Sequence, residues 1–332
     1  MITTPNTDNG KPMNVLLTGP FGTIGTRVLN ELLARNHRVT CFDLDNKTNR
    51  KIASSYGDRI RMVWGDITDT TSVNNAVAKQ DAVIHLAAII PPLSEEKPAI
   101  AEKVNVQGTK LVIDAIAKQS KMPLLVFPSS ISVHGFSNKR QPPCKVDMPL
   151  EAKDNYAGHK ISCENLLRTS NIPWVILRIG ACVDAMNDKV GDRAAMMRHM
   201  FSLHPDTRIE YLHPRDGATA MANALENPAV IGKSLFLGSG KHSQTSWLEF
   251  VNITPRVMGL RDLTSDDFGA DPYYTDWMDT TESQTLLQFQ NLGLEAYKRE
   301  LAYEWRYKRF LILPFRWLIR RYMLSFSPAY SK

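Results

Sequence analysis

A glycine-rich turn between an apolar strand and a helix is the feature that most constrains this fold. The apolar run 14–18 ends at the turn, and a helical pattern covers residues 24–34. The turn contains Gly19, Gly22 and Gly25. Glycines at this spacing let the backbone turn tightly and approach a pyrophosphate, to which the helix N-terminus offers unpaired N–H groups and the positive end of its dipole. The strand–turn–helix context therefore predicts a dinucleotide-binding unit.

Short apolar segments alternate with helical patterns along the first half of the chain. Strands are predicted at 14–18, 37–43, 59–64, 81–88, 124–128 and 174–178, and helices at 24–34, 71–78, 100–119 and 155–169. This alternation predicts an α/β fold, a doubly wound parallel sheet (Rossmann) with helices on both faces. Further along, strands are predicted at 208–213 and 234–238, and helices at 217–227, 247–258 and near 281–288.

The alternation weakens beyond residue 180, which predicts a smaller C-terminal substrate lobe. The predicted division is a flexible N-terminal tail at 1–13, a Rossmann domain at 14–180 plus 206–238, the substrate lobe at 181–205 plus 239–303, and a basic amphipathic tail at 304–332. No internal repeat or low-complexity linker is visible, so one interleaved unit is favoured over two independent domains.

Three further segments lie at the ends of predicted strands or directly after one, where a dinucleotide would lie. Asp43 comes 18 residues after Gly25, where its carboxylate can accept hydrogen bonds from both adenosine ribose hydroxyls and repel a 2′-phosphate; this favours NAD over NADP. The alternative is that Asp43 only caps a loop. Asp66 and Ile67 can reach the adenine edge, although their sequence is a common turn. The other segment is Leu86, Ala87 and Ala88, whose small side chains suit either a dinucleotide lying against the backbone or ordinary core packing.

Ser130, Tyr156 and Lys160 are the predicted catalytic residues. Ser130 follows the strand 124–128, at the carboxyl end of the sheet, and Tyr156 and Lys160 share a face of the next helix at i and i+4. A free tyrosine has a pKa of about 10, and a nearby ammonium and the nicotinamide charge would favour its ionised form. Tyr156 is then expected to exchange a proton with a substrate oxygen that Ser130 holds.

The chain resembles the extended short-chain dehydrogenase/reductase family, also called the NAD-dependent epimerase/dehydratase family, from about residue 14 to about 290. The motifs that carry the resemblance are Thr18-Gly-x-x-Gly-x-x-Gly25, Asp43, Asp66-Ile67, His85-Leu-Ala-Ala88, Asn105-Val-x-Gly-Thr109, Ser129-Ser130, Tyr156-x-x-x-Lys160, Arg178 and His213-x-x-Asp216-x-Ala218. The resemblance implies that Ser130, Tyr156 and Lys160 are catalytic. It also implies cofactor contacts at Thr23, Ile24, Asp43, Asp66, Ile67, Leu86, Ala87, Ala88 and Asn105, and a homodimer is common among similar proteins.

Departures from the family pattern narrow the expected chemistry to a small or apolar substrate. Ile131-Ser132 stands where dehydratases carry an acidic pair, so dehydration is disfavoured. Only 35 residues separate Arg178 from His213, which is short for a nucleotide-sugar pocket and favours a dehydrogenase over an epimerase. A non-catalytic NAD-binding regulator is a third alternative. Substrate contacts are assigned to Ser132, His134, Ile179 and Gly180, with a satisfied loop histidine as the alternative for His134.

The net charge of +6 is concentrated in the tail. Residues 305–332 hold seven basic side chains and no acidic one, which leaves 40 − 7 = 33 basic against 34 acidic residues elsewhere. A nucleic-acid-binding body is therefore disfavoured. Residues 305–326 predict either peripheral membrane contact or a helix packed on the body or on a second subunit.

Cysteine usage and the polar N-terminus predict a cytoplasmic protein. The four cysteines are scattered, without a C-x-x-C pair, which predicts reduced thiols and no metal site. Residues 1–13 lack an apolar segment, so no signal peptide is expected.

Overall fold

The computed structural model describes residues 11–185 and 193–330. Most of the predicted N-terminal tail, residues 186–192 of the predicted substrate lobe and residues 331–332 lie outside the described residues. The strands are β1 (Asn14–Thr18), β2 (Arg38–Asp43), β3 (Ile60–Trp64), β4 (Ala82–His85), β5 (Leu124–Ser130), β6 (Trp174–Ile179), β7 (Arg208–Glu210), β8 (Ser234–Leu237) and β9 (Gln244–Ser246).

Helices connect these strands and form most of the C-terminal part. They are α1 (Thr23–Ala34), α2 (Lys47–Ser54), α3 (Thr70–Val77), α4 (Leu93–Glu96), α5 (Pro98–Glu102), α6 (Gly108–Ala117), α7 (Asn155–Arg168), α8 (Arg193–Ser202), α9 (Pro214–Glu226), α10 (Trp247–Met258), α11 (Thr281–Leu287), α12 (Gly293–Trp305), α13 (Lys308–Ile312) and α14 (Arg316–Leu324).

Seven strands form one sheet in the order β3-β2-β1-β4-β5-β6-β8. β1 pairs in parallel with β2 and β4, and Val15 lies between Val39 and Ala82. The order turns back at β1, since the chain first builds outward to β3 and then returns to β4 on the other side. Parallel strands covered by helices are buried on both faces, which explains their nearly continuous apolar sequences. The predicted doubly wound parallel sheet is confirmed.

Two predicted elements have different bounds in the structure. β4 ends at His85, whereas the apolar pattern predicts a strand to residue 88. The N–H of Leu86 still donates to the carbonyl of Thr18 at 3.2 Å, and Thr18 is the last residue of the neighbouring β1. The single helix predicted at 100–119 is divided into α5, a wider π-helical turn at Lys103–Gln107, and α6.

The chain divides into two compact units. The first comprises residues up to Pro128, His159–Leu177 and Ala218–Ser234. Its core joins the strands to α3, α6 and α7. The buried residues that share this core include Leu16, Phe42, Val73, Val83, Val112, Ile116, Leu125, Leu167 and Ile176. The predicted domain boundaries stay a prediction.

The second unit comprises Ser129–Gly158, Arg178–Gly217 and Leu235–Lys332. β7 and β9 pair antiparallel in it, and α10 and α12 pack around the ring of the buried Tyr211. Asp276 forms ion pairs with Arg140 and Arg208, both at 2.6 Å. Beyond residue 260, where the only predicted helix is near 281–288, the structure also contains α12, whose first N–H groups are bound by Asp216.

Candidate active site

The glycine turn after β1 fits a dinucleotide pyrophosphate. Gly19 adopts a φ of +65°, and a Cβ there would lie 2.9 Å from the backbone nitrogen of Ala87. A Cβ on Gly25 would lie 2.2 Å from the carbonyl oxygen of Gly19. Gly22 precedes α1 without a side-chain cap, and the first turn of α1 contains no acidic side chain. The N-terminal N–H groups of α1 therefore meet no negative charge from the first turn of this helix.

A chain of hydrogen bonds beneath this turn links three segments of the first unit. The N–H of Ala87 donates to Oγ1 of Thr18 at 3.1 Å, and this hydroxyl lies 2.8 Å from Nδ1 of His85. On the other side of the ring, Nε2 lies 3.0 Å from Oγ1 of Thr109, which donates to the carbonyl of Asn105 at 2.5 Å. Because the Thr109 proton is used in this bond, His85 donates from Nε2 and accepts at Nδ1.

His85 is neutral in this arrangement. Its side chain is buried, and burial, followed by the positive charge of Lys160, lowers its pKa to about 3. A neutral ring can accept from Thr18 and donate to Thr109 at the same time, whereas a protonated ring would present two donors. In the sequence His85 stands out only as part of the family motif, because only the fold brings Thr18 and Thr109 to its ring.

Asn105 holds the segment that follows β4. Its Oδ1 accepts from the N–H of Ile89 at 2.7 Å, and its Nδ2 donates to the Ile89 carbonyl at 2.8 Å. The same amide nitrogen lies 3.3 Å from Nδ1 of His159. Leu86, Ala87 and Ala88, all half-buried, are therefore fixed at both ends, by Thr18 and by Asn105. The predicted contact of Asn105 with a cofactor stays a prediction.

The predicted adenosine contacts lie at the ends of β2 and β3. Asp43 ends β2, and one of its oxygens accepts from the N–H of Leu44 at 2.8 Å. Burial raises the pKa of this carboxyl, against the lowering effect of its hydrogen bonds. The exposed Asp66 accepts from the N–H and the hydroxyl of Thr68, both at 2.9 Å. The side chain of Ile67 belongs to the core, so it can face a cofactor only through its backbone.

Lys160 is buried on α7, one turn after Tyr156. Its Nζ donates to the carbonyl of Pro128 at 2.6 Å and lies 4.7 Å from the ring centre of Phe127. Burial lowers the pKa of this amine to about 8, against the opposing influence of Cys163 and Glu164. The amine is thus fixed to the backbone of β5. Tyr156 itself is half-buried in the first turn of α7.

Ser130 ends β5 in the second unit and caps a short 3₁₀ helix at Ile131–His134. Its Oγ accepts from the N–H of Ser132 at 3.1 Å and from the Ser132 hydroxyl at 2.9 Å. A hydroxyl has two acceptor positions and one proton to donate. Since Ser132 fills both acceptor positions, Ser130 can bind a further group only by donating its proton. Ser132 is fully buried, and its two hydrogen bonds hold the Ser130 hydroxyl in place.

The remaining predicted substrate contacts lie in a packed part of the second unit. His134 is buried, with Nδ1 3.2 Å from the carbonyl of Pro149 and Nε2 2.9 Å from a guanidinium nitrogen of Arg178. This favours the satisfied-histidine alternative. Ile179 is buried, and a Cβ on Gly180 would lie 2.7 Å from the terminal carbon of Met278. The four substrate contacts stay predictions.

Within residues 11–185 and 193–330, no group of three or more His, Cys, Asp and Glu side chains could hold a metal ion. The four cysteines are free thiols, three of them buried.

Comparison with known proteins finds a family model and solved structures that are similar to this chain. The family model described as the 3-beta hydroxysteroid dehydrogenase/isomerase family matches residues 16–177. The structure of UDP-glucuronic acid 4-epimerase from Bacillus cereus, solved with UDP-glucuronic acid and NAD, superposes with a TM-score of 0.74 at 22% identity, over 90% of this chain and 100% of that one. In sequence and in fold the chain is therefore similar to the extended short-chain dehydrogenase/reductase family. That family is NAD-dependent, and other similar structures contain NAD.

Sequence relatives of this chain are named as dehydrogenases and as epimerases. It is 24% identical to D-erythronate dehydrogenase of Cupriavidus necator over 241 residues, 64% of this chain and 72% of the relative. It is 32% identical to 3 beta-hydroxysteroid dehydrogenase type 7 of Rattus norvegicus over 163 residues, 47% of this chain and 48% of the relative. The second alignment thus spans about half of each protein.

Proposed function

We propose that this chain is an NAD-dependent oxidoreductase that uses Tyr156 for proton transfer at a carbinol or carbonyl group of a small or apolar substrate. The observation that carries the proposal is the buried amine of Lys160, fixed at 2.6 Å to the carbonyl of Pro128 and one helical turn from Tyr156. A charge held there favours the ionised form of a neighbouring phenol.

The first unit supplies the residues that would hold NAD. The turn at Gly19, Gly22 and Gly25, together with Thr23 and Ile24 in the first turn of α1, would bind the pyrophosphate through backbone N–H groups. The Asp43 carboxylate would accept from the adenosine ribose hydroxyls, with Asp66 and Ile67 near the adenine. The predicted nicotinamide side consists of Leu86, Ala87, Ala88, Asn105, Tyr156 and Lys160. When bound, NAD accepts or donates a hydride at its nicotinamide ring.

The catalytic roles follow from the protons each side chain can give or take. Ser130 would donate its one remaining proton to the substrate oxygen, since Ser132 fills its acceptor positions. Tyr156 would take a proton from a substrate hydroxyl at its phenolic oxygen, or return one to a carbonyl. Lys160 would hold positive charge beside that oxygen and bind the nicotinamide ribose.

Epimerisation is the second candidate, because it uses the same three side chains with no net redox change. The superposition on UDP-glucuronic acid 4-epimerase over 90% of this chain favours it. The short interval between Arg178 and His213 favours a smaller substrate. In addition, Met197 and Met200 of α8 lie in that interval and pack against a core cluster around Phe201, which leaves less chain to surround a nucleotide.

The experiment that separates these candidates follows NADH and product together. Purified protein with NAD is given small secondary alcohols, sterols and sugar nucleotides in turn. Net NADH formation supports the dehydrogenase, and isomer formation at constant NADH supports the epimerase. Turnover of none of these classes, by a protein that binds NAD, would favour the non-catalytic regulator.

Tyr156→Phe tests the mechanism. Loss of the phenolic proton is expected to reduce turnover by about 10²–10⁴-fold while NAD affinity stays within about twofold. The exposed Tyr303→Phe is the matched control. Unchanged turnover in Tyr156→Phe would refute the mechanism. The homodimer and the cytoplasmic location stay predictions, as does the predicted peripheral membrane contact of residues 305–326.

A further inference from the structure

The C-terminal stretch 303–330 exposes a concentration of large apolar side chains. Of the seventeen large apolar side chains that the described residues expose, nine lie in this stretch. They are Tyr303, Tyr307, Phe310, Leu311, Phe315, Trp317, Leu318, Tyr322 and Tyr330. Proteins normally expose such side chains singly, and a cluster of them indicates a contact surface.

The same stretch is positively charged. Residues 305–330 contain Arg306, Lys308, Arg309, Arg316, Arg320 and Arg321, and no acidic side chain. Two of these have acidic neighbours, because Lys308 lies 3.8 Å from Glu304 and Arg320 lies 3.8 Å from Asp267. For the others, the part of the chain that the structure describes offers no acidic side chain within 4 Å, so their charge is not neutralised locally.

α14 is nevertheless firmly attached to the second unit. Leu324 is buried in the cluster that contains Phe201 and Val251. Directly after the helix, the hydroxyl of Ser327 donates to the carbonyl of Asp267 at 2.6 Å. The predicted alternatives for the tail are therefore not exclusive, since one side of the helix packs on the body while another side stays exposed.

The exposed side of α14 has a defined composition. Trp317, Leu318, Arg321 and Tyr322 occupy positions i, i+1, i+4 and i+5, which lie on one side of an α-helix. All four are exposed, Trp317 and Tyr322 at 62%. We call these four residues the outer face of α14. It presents amphipathic aromatic rings next to a cation, the combination found where proteins meet lipid headgroups.

The helices are too short to cross a bilayer. α13 has five residues and α14 has nine, whereas a spanning helix needs about 20. None of the helices in the described ranges is long and apolar enough to span a membrane. A lipid contact of this stretch would therefore run along the membrane surface.

We propose that the outer face of α14, together with the exposed side chains of α13, docks on the surface of an anionic lipid bilayer. Charge decides between the possible occupants. A symmetric contact with a second copy would bring Arg309, Arg316 and Arg321 toward their own equivalents. Nucleic acid would satisfy the arginines but leave the apolar rings without a partner, and the rest of the chain is close to neutral. Anionic lipid satisfies both. This proposal does not depend on the proposed enzymatic activity.

Vesicle sedimentation of the full chain tests the proposal. Phosphatidylcholine vesicles with and without phosphatidylserine are compared at low and physiological salt. We expect binding to the anionic vesicles only, with weakening at higher salt. Each arginine removed should reduce binding by about fivefold, so R309Q/R316Q/R321Q should lose about a hundredfold. The apolar variant W317S/L318S should lose roughly tenfold or more.

Matched controls remove the same kinds of side chain elsewhere. K118Q/K145Q/K241Q removes three exposed charges outside the tail, and M122S/I231S removes two exposed apolar side chains. Both should bind vesicles like the unmodified protein, and thermal unfolding should show that every variant is folded. Equal binding to neutral and anionic vesicles, or full binding by the arginine variant, would overturn the proposal. The proposal would also be overturned if the protein binds no vesicles and W317S/L318S instead loses a dimer that the unmodified protein forms. The same holds if W317S/L318S loses the binding of a DNA duplex.

Discussion

His85→Gln should remove a large part of the acid sensitivity of the first unit. The pKa of His85 is lowered from 6.5 to about 3 in the folded chain, mainly by burial. The unfolded chain therefore takes up a proton below pH 6.5 that the folded chain refuses until about pH 3. The stability that the neutral ring contributes is fully present above pH 6.5 and is lost as the pH falls toward 3. Linkage gives a loss of about 2 kcal/mol between pH 7 and pH 5.

Urea unfolding at pH 7 and pH 5, followed by circular dichroism, measures this loss. The other titrating groups are common to both proteins, so subtracting the two pH dependences isolates His85. The unmodified chain should lose about 2 kcal/mol more than His85→Gln between these pH values. At pH 7 the variant should be less stable, because glutamine reproduces the bonds to Thr18 and Thr109 only in part.

Thr109→Val is the matched control. It removes the hydroxyl that lies 3.0 Å from Nε2 of His85 but keeps the titrating ring. Its free energy of unfolding should be lower at both pH values, with most of the pH dependence preserved. If His85→Gln loses as much stability between pH 7 and pH 5 as the unmodified chain does, the buried neutral ring is not the source of the acid sensitivity.

Two further predictions concern the cofactor side. Asp43→Asn should raise affinity for NADP relative to NAD by about tenfold, because a carboxylate no longer opposes the 2′-phosphate; titration with each dinucleotide measures this ratio. The control is the exposed Asp45→Asn, which releases Arg50 and should leave the ratio unchanged. An equal ratio of affinities in both variants would contradict the assignment of Asp43 to the adenosine ribose. Lys160 has a pKa of about 8 when folded against 10.5 normally, so the cost of burying its charge is full below pH 8 and fades as the pH rises toward 10.5. Relative to Lys160→Met, the unmodified chain should gain about 2 kcal/mol of stability between pH 7.5 and pH 9.5 in urea unfolding, and a constant difference would contradict a buried charged amine.

Local patterns were sufficient to predict most of the first unit. β1, α1 and β2 lie within one or two residues of their predicted bounds. Each has a clear apolar pattern, and a glycine or an acidic residue marks one of its ends. The end of β4 and the break in the helix 100–119 were not predictable in this way. Asn105 lies in the π-helical turn, and its amide binds the backbone of Ile89, 16 residues away, in the segment that follows β4. A sequence pattern contains no sign of such a partner.

The second unit was harder to predict for the same reason. The start of α12 is fixed by Asp216, whose carboxylate accepts from the N–H groups of Leu292 and Gly293. These donors are 76 and 77 residues further along the chain, so the usual local capping signal before the helix is missing. No helix was therefore predicted over the residues of α12. The basic and aromatic composition of the tail was visible in the sequence, whereas the attachment of α14 through Leu324 was not.

The two hydroxyl networks show why the three predicted catalytic residues alone do not define the predicted site. Ser130 is limited to donating because Ser132 fills its acceptor positions, and Thr18 is oriented because Ala87 donates to its oxygen. In both cases a neighbouring residue outside the predicted catalytic set decides which way a proton points. A Ser132→Ala variant would keep the Ser132 N–H bond but free one acceptor position on Ser130. Ser130 could then also accept a hydrogen bond from a further group and would no longer be limited to donating its proton. Its preference for donating to a substrate oxygen would weaken, although the three predicted catalytic residues are unchanged.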